Sequence, residues 1–332
     1  MLHRSLLFKM FGLFLFLTCS LSTVFAQHIV AQVPVGSEPR GVGVNPMSGI
    51  VYVANVGSGT ISVLRKASVI ATIPVDTLPF VVAVNSKTNR IYAAGCNFNT
   101  GTGSMVVVID GNTNKVITNI SLNQSCGLGT QGIAVNQFTN RVYVSDYDDN
   151  QEVVIDGASN QIMARIDLLG RPPLSAAVDV VTNQVWVTLD GPSGDVDILD
   201  GNNNTLLDTI TVGNVFVEGV AINASTRRVY VTSTSSPSSL YVLNAGTRQV
   251  IATVPIGLFA NEVAVDVLSD QIFVTDGQAN TVVVVNGHNN QAVATVNLKG
   301  NFPSGIAVNP VTRLVYVADF FSNEVEILTE RR

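Results

Sequence analysis

Short apolar segments separated by polar turns alternate along almost the whole chain. One stretch shows the pattern clearly, with apolar runs over Gly132 to Asn136, Arg141 to Ser145, Val153 to Gly157 and Ile162 to Leu168. Short runs rich in Val and Ile and bounded by Asn, Asp and Gly predict β-strands. We name these four strands A, B, C and D in chain order.

The four-strand pattern recurs seven times. Each copy carries a large aromatic residue in strand B, and consecutive aromatic residues are 40 to 51 positions apart. The seven are Tyr52, Tyr92, Tyr143, Trp186, Tyr230, Phe273 and Tyr316. A repeat of this length with four short strands is typical of a β-propeller, in which each blade is a four-stranded antiparallel sheet. The sequence therefore predicts an all-β fold, a seven-bladed β-propeller.

The two ends of the repeat region complement each other. The last copy supplies strands A, B and C and finishes at residues 324–328, whereas a D-like strand with no copy before it covers residues 29–34. Pairing of these two strands would complete the last blade and close the ring. We therefore predict one seven-bladed domain over residues 27–332.

Asp-Gly or Asn-Gly pairs separate strands C and D in four copies, at positions 110–111, 156–157, 200–201 and 286–287. Such a pair predicts a tight turn in which Gly takes a positive φ angle and the Asp side chain caps the turn. Calcium binding by these turns is the less favoured alternative.

Residues 1–26 have the features of an export signal. Arg4 and Lys9 precede an apolar run centred on residues 13–17, and Val24 and Ala26 place small residues before the expected cut. A retained N-terminal anchor is the alternative, although the apolar run is shorter than the ~20 residues of a spanning helix. No later stretch reaches that length, so we expect a secreted, periplasmic or cell-surface protein without a membrane span after cleavage.

The charge balance is acidic. The chain has 18 Lys and Arg against 24 Asp and Glu, a formal net charge of −6, and loss of the leader would remove two more positive charges. This balance disfavours nucleic acid and anionic membranes as partners. Only 13% of the residues are charged and 46% are hydrophobic, which indicates strands covered on both faces.

The end of strand B carries a short recurring motif. Phe273-Val-Thr-Asp276, Tyr230-Val-Thr-Ser233 and Tyr52-Val-Ala-Asn55 resemble the YVTN-type β-propeller repeat family, although no copy spells the four letters in full. The resemblance covers the seven copies and implies a secreted or surface-layer-like propeller. It implies little about activity, because one fold carries many functions.

Ligand-binding residues of a propeller usually lie at the face where the A strands begin, around the central channel; we call this the top face. Antiparallel connectivity places the B–C and D–A loops there as well. The residues that enter the A strands differ in every copy: Arg40, Phe80, Gln131, Leu174, Glu218, Asn261 and Ser304, with Glu262 and the aromatic residues Phe216, Phe259 and Phe302 nearby. We expect a pocket for a protein, glycan or cell-envelope component, with sequence drift as the alternative.

Two cysteines follow the leader, and both fall in insertions on the top face of the second blade. Cys96 lies in its B–C loop and Cys126 in the next D–A loop. In an oxidising compartment this arrangement predicts a disulfide between the two loops, with two free thiols as the alternative.

Carboxylates supply the candidate metal chemistry. Asp146, Asp148 and Asp149 could bind calcium, with a solvated loop as the favoured alternative. Acidic residues also recur with Asn55 at corresponding top positions, namely Asp190 with Asp195, Asp276 and Asp319, and this recurrence predicts turn capping.

The only histidines after the leader, His28 and His288, lie away from the channel, so we favour a binding scaffold without a cofactor over an enzyme. The alternative is a calcium-dependent lyase or lactonase using Glu218, Asn261 and Glu262.

Overall fold

The computed structural model describes residues 27–97, 103–123 and 130–330. In these residues 28 β-strands form seven four-stranded antiparallel sheets, as the repeat predicts. Residues 1–26, for which the sequence predicts an export signal, lie outside the described residues. No helix in the described ranges is long and apolar enough to cross a bilayer.

The strands follow the order A, B, C and D within each sheet, from the channel outward. The A strands are β2 (Pro39–Asn45), β6 (Leu78–Asn85), β10 (Thr130–Asn136), β14 (Pro173–Asp179), β18 (Val217–Asn223), β22 (Ala260–Asp266) and β26 (Pro303–Asn309). The B strands are β3 (Ile50–Asn55), β7 (Arg90–Cys96), β11 (Arg141–Asp146), β15 (Gln184–Leu189), β19 (Arg228–Ser233), β23 (Gln271–Asp276) and β27 (Leu314–Asp319).

The C strands are β4 (Thr60–Arg65), β8 (Ser104–Asp110), β12 (Gln151–Asp156), β16 (Asp195–Asp200), β20 (Ser238–Asn244), β24 (Thr281–Asn286) and β28 (Glu324–Glu330). The D strands are β5 (Ser68–Pro74), β9 (Lys115–Ser121), β13 (Gln161–Asp167), β17 (Thr205–Thr211), β21 (Val250–Gly257), β25 (Gln291–Asn297) and β1 (Gln27–Pro34). Blades I to VI run from β2 to β25 in sets of four, and blade VII combines β26, β27, β28 and β1.

The ring closes through blade VII. Strand β1 pairs antiparallel with β28, from Gln27 opposite Glu330 to Pro34 opposite Glu324. Each A strand also contacts the A strand of the next blade, and β26 contacts β2. The N-terminal strand therefore completes the last blade, which confirms the sequence prediction.

The recurring aromatic residues hold neighbouring blades together. Tyr52 packs in one apolar cluster with Ile91 and Val107 of blade II, and Tyr316 packs with Val51 and Val53 of blade I. The other aromatic residues do the same, so that seven clusters join each blade to the next. These seven side chains are the largest fully buried ones among the described residues. The recurring aromatic position of the sequence is thus the centre of the apolar contact between neighbouring blades.

The C–D turns differ from the prediction in one respect. Asp156 Oδ1 accepts a hydrogen bond from the Ala158 N–H at 2.8 Å, so the carboxylate caps its own turn as expected. The positive φ angle, however, belongs to Asn160 and not to Gly157. Gly157 is needed for space, because a Cβ there would lie 2.6 Å from Asn140 Oδ1 and 2.8 Å from the Tyr92 hydroxyl of the preceding blade.

Candidate functional site

The register of every A strand shifts where it enters the sheet. In blade I, Pro39 pairs with Asn55 and Gly41 pairs with Ala54, so Arg40 is an extra residue without a partner on strand B. The same shift occurs in the other six blades. A bulge of this kind re-aims the extra side chain out of the sheet. The residues at the shifts are Arg40, Phe80, Gln131, Leu174, Glu218, Asn261 and Ser304, and Glu262 falls in the longer shift of blade VI.

These residues surround the mouth of the channel. A cavity of about 430 Å³ opens there and is lined by Arg40, Phe80, Tyr147, Asp190, Phe216 and Glu218, among others. A smaller cavity of about 160 Å³ shares Arg40, Phe80 and Gln131 with it and also reaches Asn261, Glu262 and Ser304. The larger volume lies within the range of small-molecule binding sites.

Arg40 is the central cation of this site. Its Nη2 donates a hydrogen bond to Gln131 Oε1 at 2.7 Å, and its Cζ lies 5.1 Å from the centre of the Phe80 ring. Burial lowers the pKa of Arg40, while the charges of Glu218 and Glu262 raise it. The guanidinium therefore supplies the positive charge that these two carboxylates require.

Both carboxylates have a raised pKa, and the charge of Glu218 adds to the shift of Glu262. Burial, and then the charge of Glu218, raises the pKa of Glu262 to about 7, and Arg40 opposes this shift. Burial also raises the pKa of Glu218, again opposed by Arg40. The mouth thus combines one cation with two acids, one of which titrates near neutral pH.

Two further residues reach the mouth from B–C loops. The Tyr147 hydroxyl donates a hydrogen bond to Asp190 Oδ2 at 2.6 Å, and this bond is the main reason why the pKa of Tyr147 rises to about 12. Phe216 is 48% exposed beside them, and its backbone is fixed by hydrogen bonds to Thr234 and Ser235. The sequence predicts turn capping for Asp190, whereas its carboxylate accepts a bond from Tyr147, a top-face loop residue that the sequence pattern does not single out.

Ser304 and Asn261 make structural contacts. The Ser304 hydroxyl donates to the Pro39 backbone oxygen at 3.0 Å, across the seam between blades VII and I, and lies 3.3 Å from the Ala318 backbone oxygen within blade VII. Asn261 Nδ2 donates to the Ser304 backbone oxygen at 3.4 Å. These two polar groups therefore link A strands around the channel.

The acidic loop of blade III does not gather its three carboxylates. Asp146 is buried, and both of its oxygens accept hydrogen bonds from Asn123 Nδ2, at 2.7 and 2.9 Å. Asp149 is exposed and Asp148 is half-buried. Within the ranges that the structure describes, the group of three acids that could hold a metal ion lies elsewhere, in blade VII. Asp146 instead fixes the end of the blade II loop.

The turn capping predicted for the recurring top-face acids is confirmed for Asp276. Asp276 Oδ1 accepts from the backbone N–H groups of Gln278 at 3.1 Å and Ala279 at 3.0 Å. Neither carboxylate oxygen of Asp319 accepts such a bond, so the prediction is wrong there. The reason is that its oxygens face two acids of strand C.

The predicted disulfide falls partly outside the described residues. Cys96 ends β7 and is fully buried, whereas Cys126 lies in residues 124–129, which the structure does not describe. The loops are also joined by Asn123, whose Oδ1 accepts a hydrogen bond from the Ser104 N–H at 2.8 Å. The Cys96–Cys126 bridge stays a prediction.

Seven antiparallel sheets around a polar channel mouth define a seven-bladed β-propeller with a candidate binding site on its top face. No known family profile matches the chain. The proteins named YncE from Salmonella typhimurium and Salmonella typhi, both described as uncharacterized, are 26% identical to it over 195 residues. That match covers 58% of this chain and 52% of each relative, so the chain spans about half the length of the curated relatives it matches.

Solved structures agree with the fold. A chain of the Kuenenia stuttgartiensis hydrazine synthase matches with a TM-score of 0.78 at 15% identity, covering 89% of this chain and 96% of that one. At this identity the likeness concerns the fold alone. The comparisons therefore support a β-propeller family, and the YVTN-type repeat stays a prediction.

Proposed function

We propose that this protein is a binding propeller of the cell envelope or the extracellular space, and that its channel mouth binds a glycan. The observation that carries the proposal is the composition of the 430 Å³ cavity, which combines aromatic rings with both donors and acceptors. Phe80, Tyr147 and Phe216 offer ring faces, Asp190 and Glu218 accept hydrogen bonds, and Arg40 donates them.

Sugars match this mixture because each hydroxyl group both donates and accepts hydrogen bonds, while the C–H faces of the ring are apolar. The mouth is also built of residues that differ from blade to blade, on a backbone that repeats. Secretion follows from the leader-like residues 1–26 and is part of the proposal.

A calcium-dependent lyase or lactonase is not favoured at this position. Glu218 and Glu262 already share the positive charge of Arg40, so a cation placed between them would meet a guanidinium. Asn261 directs its amide to the Ser304 backbone. The site is therefore better suited to hold a neutral, hydroxyl-rich ligand than a divalent ion.

The test is a glycan array probed with the mature chain, followed by calorimetric titration of the best-bound oligosaccharide. We expect Arg40→Met and Phe216→Ala each to weaken binding at least about tenfold, which corresponds to roughly 1.4 kcal/mol. Arg65→Met is the matched control, because Arg65 is an exposed arginine of the same blade at the end of β4.

The proposal fails if no glycan binds, or if binding is unchanged in both mouth variants. Capture of a protein in place of a glycan would also contradict it.

A further inference from the structure

Three carboxylates converge at the top of blade VII, away from the channel mouth. Asp319 ends strand B opposite Glu324, and Glu326 follows two residues later in strand C. One oxygen from each of the three lies within 4.8 Å of the others. Residues two apart in a strand point to the same face, which is why Glu324 and Glu326 approach Asp319 together.

The inner two acids, Asp319 and Glu326, are buried, and three of their four carboxylate oxygens lack hydrogen-bond partners. Asp319 and Glu326 are both 0% exposed. Both oxygens of Asp319 and Oε2 of Glu326 have no hydrogen-bond partner among the described residues. A buried ionised oxygen without a donor or a counter-charge is strongly destabilising, so these three atoms require a positive partner or protons.

Neighbouring residues donate hydrogen bonds to one oxygen of Glu324 and one oxygen of Glu326, but not to Asp319. Glu326 Oε1 accepts from the backbone N–H groups of Lys299 at 2.8 Å and Gly300 at 2.9 Å. Gln32 of strand β1 donates to Glu324 at 2.9 Å and Glu326 at 3.2 Å. In the described part of the chain, no Lys, Arg or His nitrogen forms an ion pair with the three acids.

Blade I shows what the same backbone does with neutral side chains. Its corresponding residues are Asn55, Thr60 and Ser62, in the same cross-strand register. Asn55 occupies the position that Asp319 takes in blade VII, and its Nδ2 donates to Thr60 Oγ1 and Ser62 Oγ, each at 3.0 Å. Its Oδ1 is also buried without a partner, but it is a neutral amide oxygen.

The close fit around the position is also shared. A Cβ on Gly36 would collide with Asn55, and a Cβ on Gly300 would collide with Asp319. Blade VII thus keeps the same close backbone packing, but its three side chains are acids that only accept hydrogen bonds when ionised.

We propose that Asp319, Glu324 and Glu326 bind a calcium ion. Carboxylate oxygens are the ligands that this hard cation prefers, and its coordination shell accepts further oxygens from water. Metals that favour sulfur or imidazole are unsuited, because the group contains no Cys or His. The ion would join strands β27 and β28 in the blade that closes the ring, while Gln32 ties β1 to the same acids.

The experiment is a titration of the chelator-treated mature chain with CaCl₂ by calorimetry, with the melting temperature measured in calcium and in EDTA. We expect one site per chain and a melting temperature raised by about 5 °C at calcium a hundredfold above Kd. Asp319→Asn should abolish both effects.

Two further variants separate calcium binding from folding. The triple variant D319N/E324T/E326S copies blade I, so we expect it to fold without calcium and not to respond to the ion. Asp276→Asn is the matched control in blade VI, because its carboxylate occupies the corresponding position but caps a turn. It should retain the full calcium response.

The proposal is overturned if the wild-type chain gives neither heat nor a shift in melting temperature with millimolar calcium, which would mean that the acids hold protons instead. It is also overturned if the triple variant responds to calcium as the wild type does.

Discussion

Blades I and VII have the same backbone at the top of strands B and C, but they carry different charges there. In blade I, Asn55 Nδ2 donates to Thr60 and Ser62, and the group is neutral, so its one unpartnered oxygen, Asn55 Oδ1, carries no charge. In blade VII the corresponding side chains are three acids, and three of their oxygens accept no hydrogen bond from a described residue. The repeat therefore determines where these side chains lie, whereas each blade determines how their charge is balanced.

Blade IV gives a third arrangement at this position. Asp197 corresponds to Glu326 in the cross-strand register and is also fully buried. Its neutralising partner is Arg171, whose Nη2 lies 2.9 Å from Asp197 Oδ2. A buried acid in this fold thus has a guanidinium in one blade and, in our proposal, a calcium ion in another.

The largest effect should come from the feature that blades I and VII share. We expect Tyr52→Ala and Tyr316→Ala each to lower the free energy of unfolding by about 4 kcal/mol, because each removes a fully buried ring from a contact between blades. Chemical denaturation measures both variants. Tyr52→Phe is the control and should cost little, since the Tyr52 hydroxyl has no hydrogen-bond partner among the described residues.

A large difference between the two alanine variants would show that the seam between blades VII and I is packed differently from the other contacts. Equal losses would confine the difference between the blades to their polar residues.

These shared contacts are also the part of the molecule that the sequence predicts best. The aromatic spacing follows from packing that repeats in every blade, so Tyr52, Trp186 and Tyr316 reveal the number of blades directly. Closure follows from the matching end strands. The number of blades and the closure of the ring can both be predicted from local sequence patterns, without knowledge of three-dimensional contacts.

The polar sites could be predicted only in part. The residues that enter the A strands were found from connectivity, but the register shifts that aim them into the channel leave no mark in the pattern of apolar residues. The bond between Arg40 and Gln131 joins residues 91 positions apart. Asp319 and Asp276 look alike in the sequence, and only the acids of the neighbouring strand C make their environments differ.

A buried acid outside the blade VII group should respond to pH and not to calcium. Glu152 of blade III is fully buried, accepts one hydrogen bond from Ser145 at 3.0 Å, and has its pKa raised to about 8, chiefly by burial. Its folded-state pKa exceeds the unfolded value near 4.5, so the folded chain holds the extra proton between these values. Stability should therefore fall as pH rises from about 5 to 8, by on the order of 3 kcal/mol from this residue.

Unfolding of the wild type and of Glu152→Gln at several pH values, in saturating calcium, measures this contribution. The variant should lose that part of the pH dependence and be the more stable protein at pH 8. Glu38→Gln, at an exposed glutamate, is the control and should follow the wild type. Identical pH profiles for Glu152→Gln and the wild type would contradict the prediction.

The smallest effect concerns the guanidinium of blade IV. Removing the charge with Arg171→Met leaves Asp197 buried with only the Thr209 hydroxyl, which donates to Oδ1 at 2.6 Å. We expect a loss of about 2 kcal/mol in the free energy of unfolding, since a buried carboxylate without its partner is costly. Burial already raises the pKa of Asp197, and Arg171 opposes that shift. The loss should therefore be larger at pH 8 than at pH 5.

The second substitution Asp197→Asn should restore most of the stability, because it removes the charge that Arg171 balances. Calcium should not restore it, because Leu189 stands where blade VII has Asp319 and the third acid is missing. Asp195 and Asp197 of blade IV occupy the positions of Glu324 and Glu326 in blade VII. Recovery of the Arg171→Met variant by millimolar calcium would show that these two acids suffice to bind the ion. Blades IV and VII would then differ only in which cation they use.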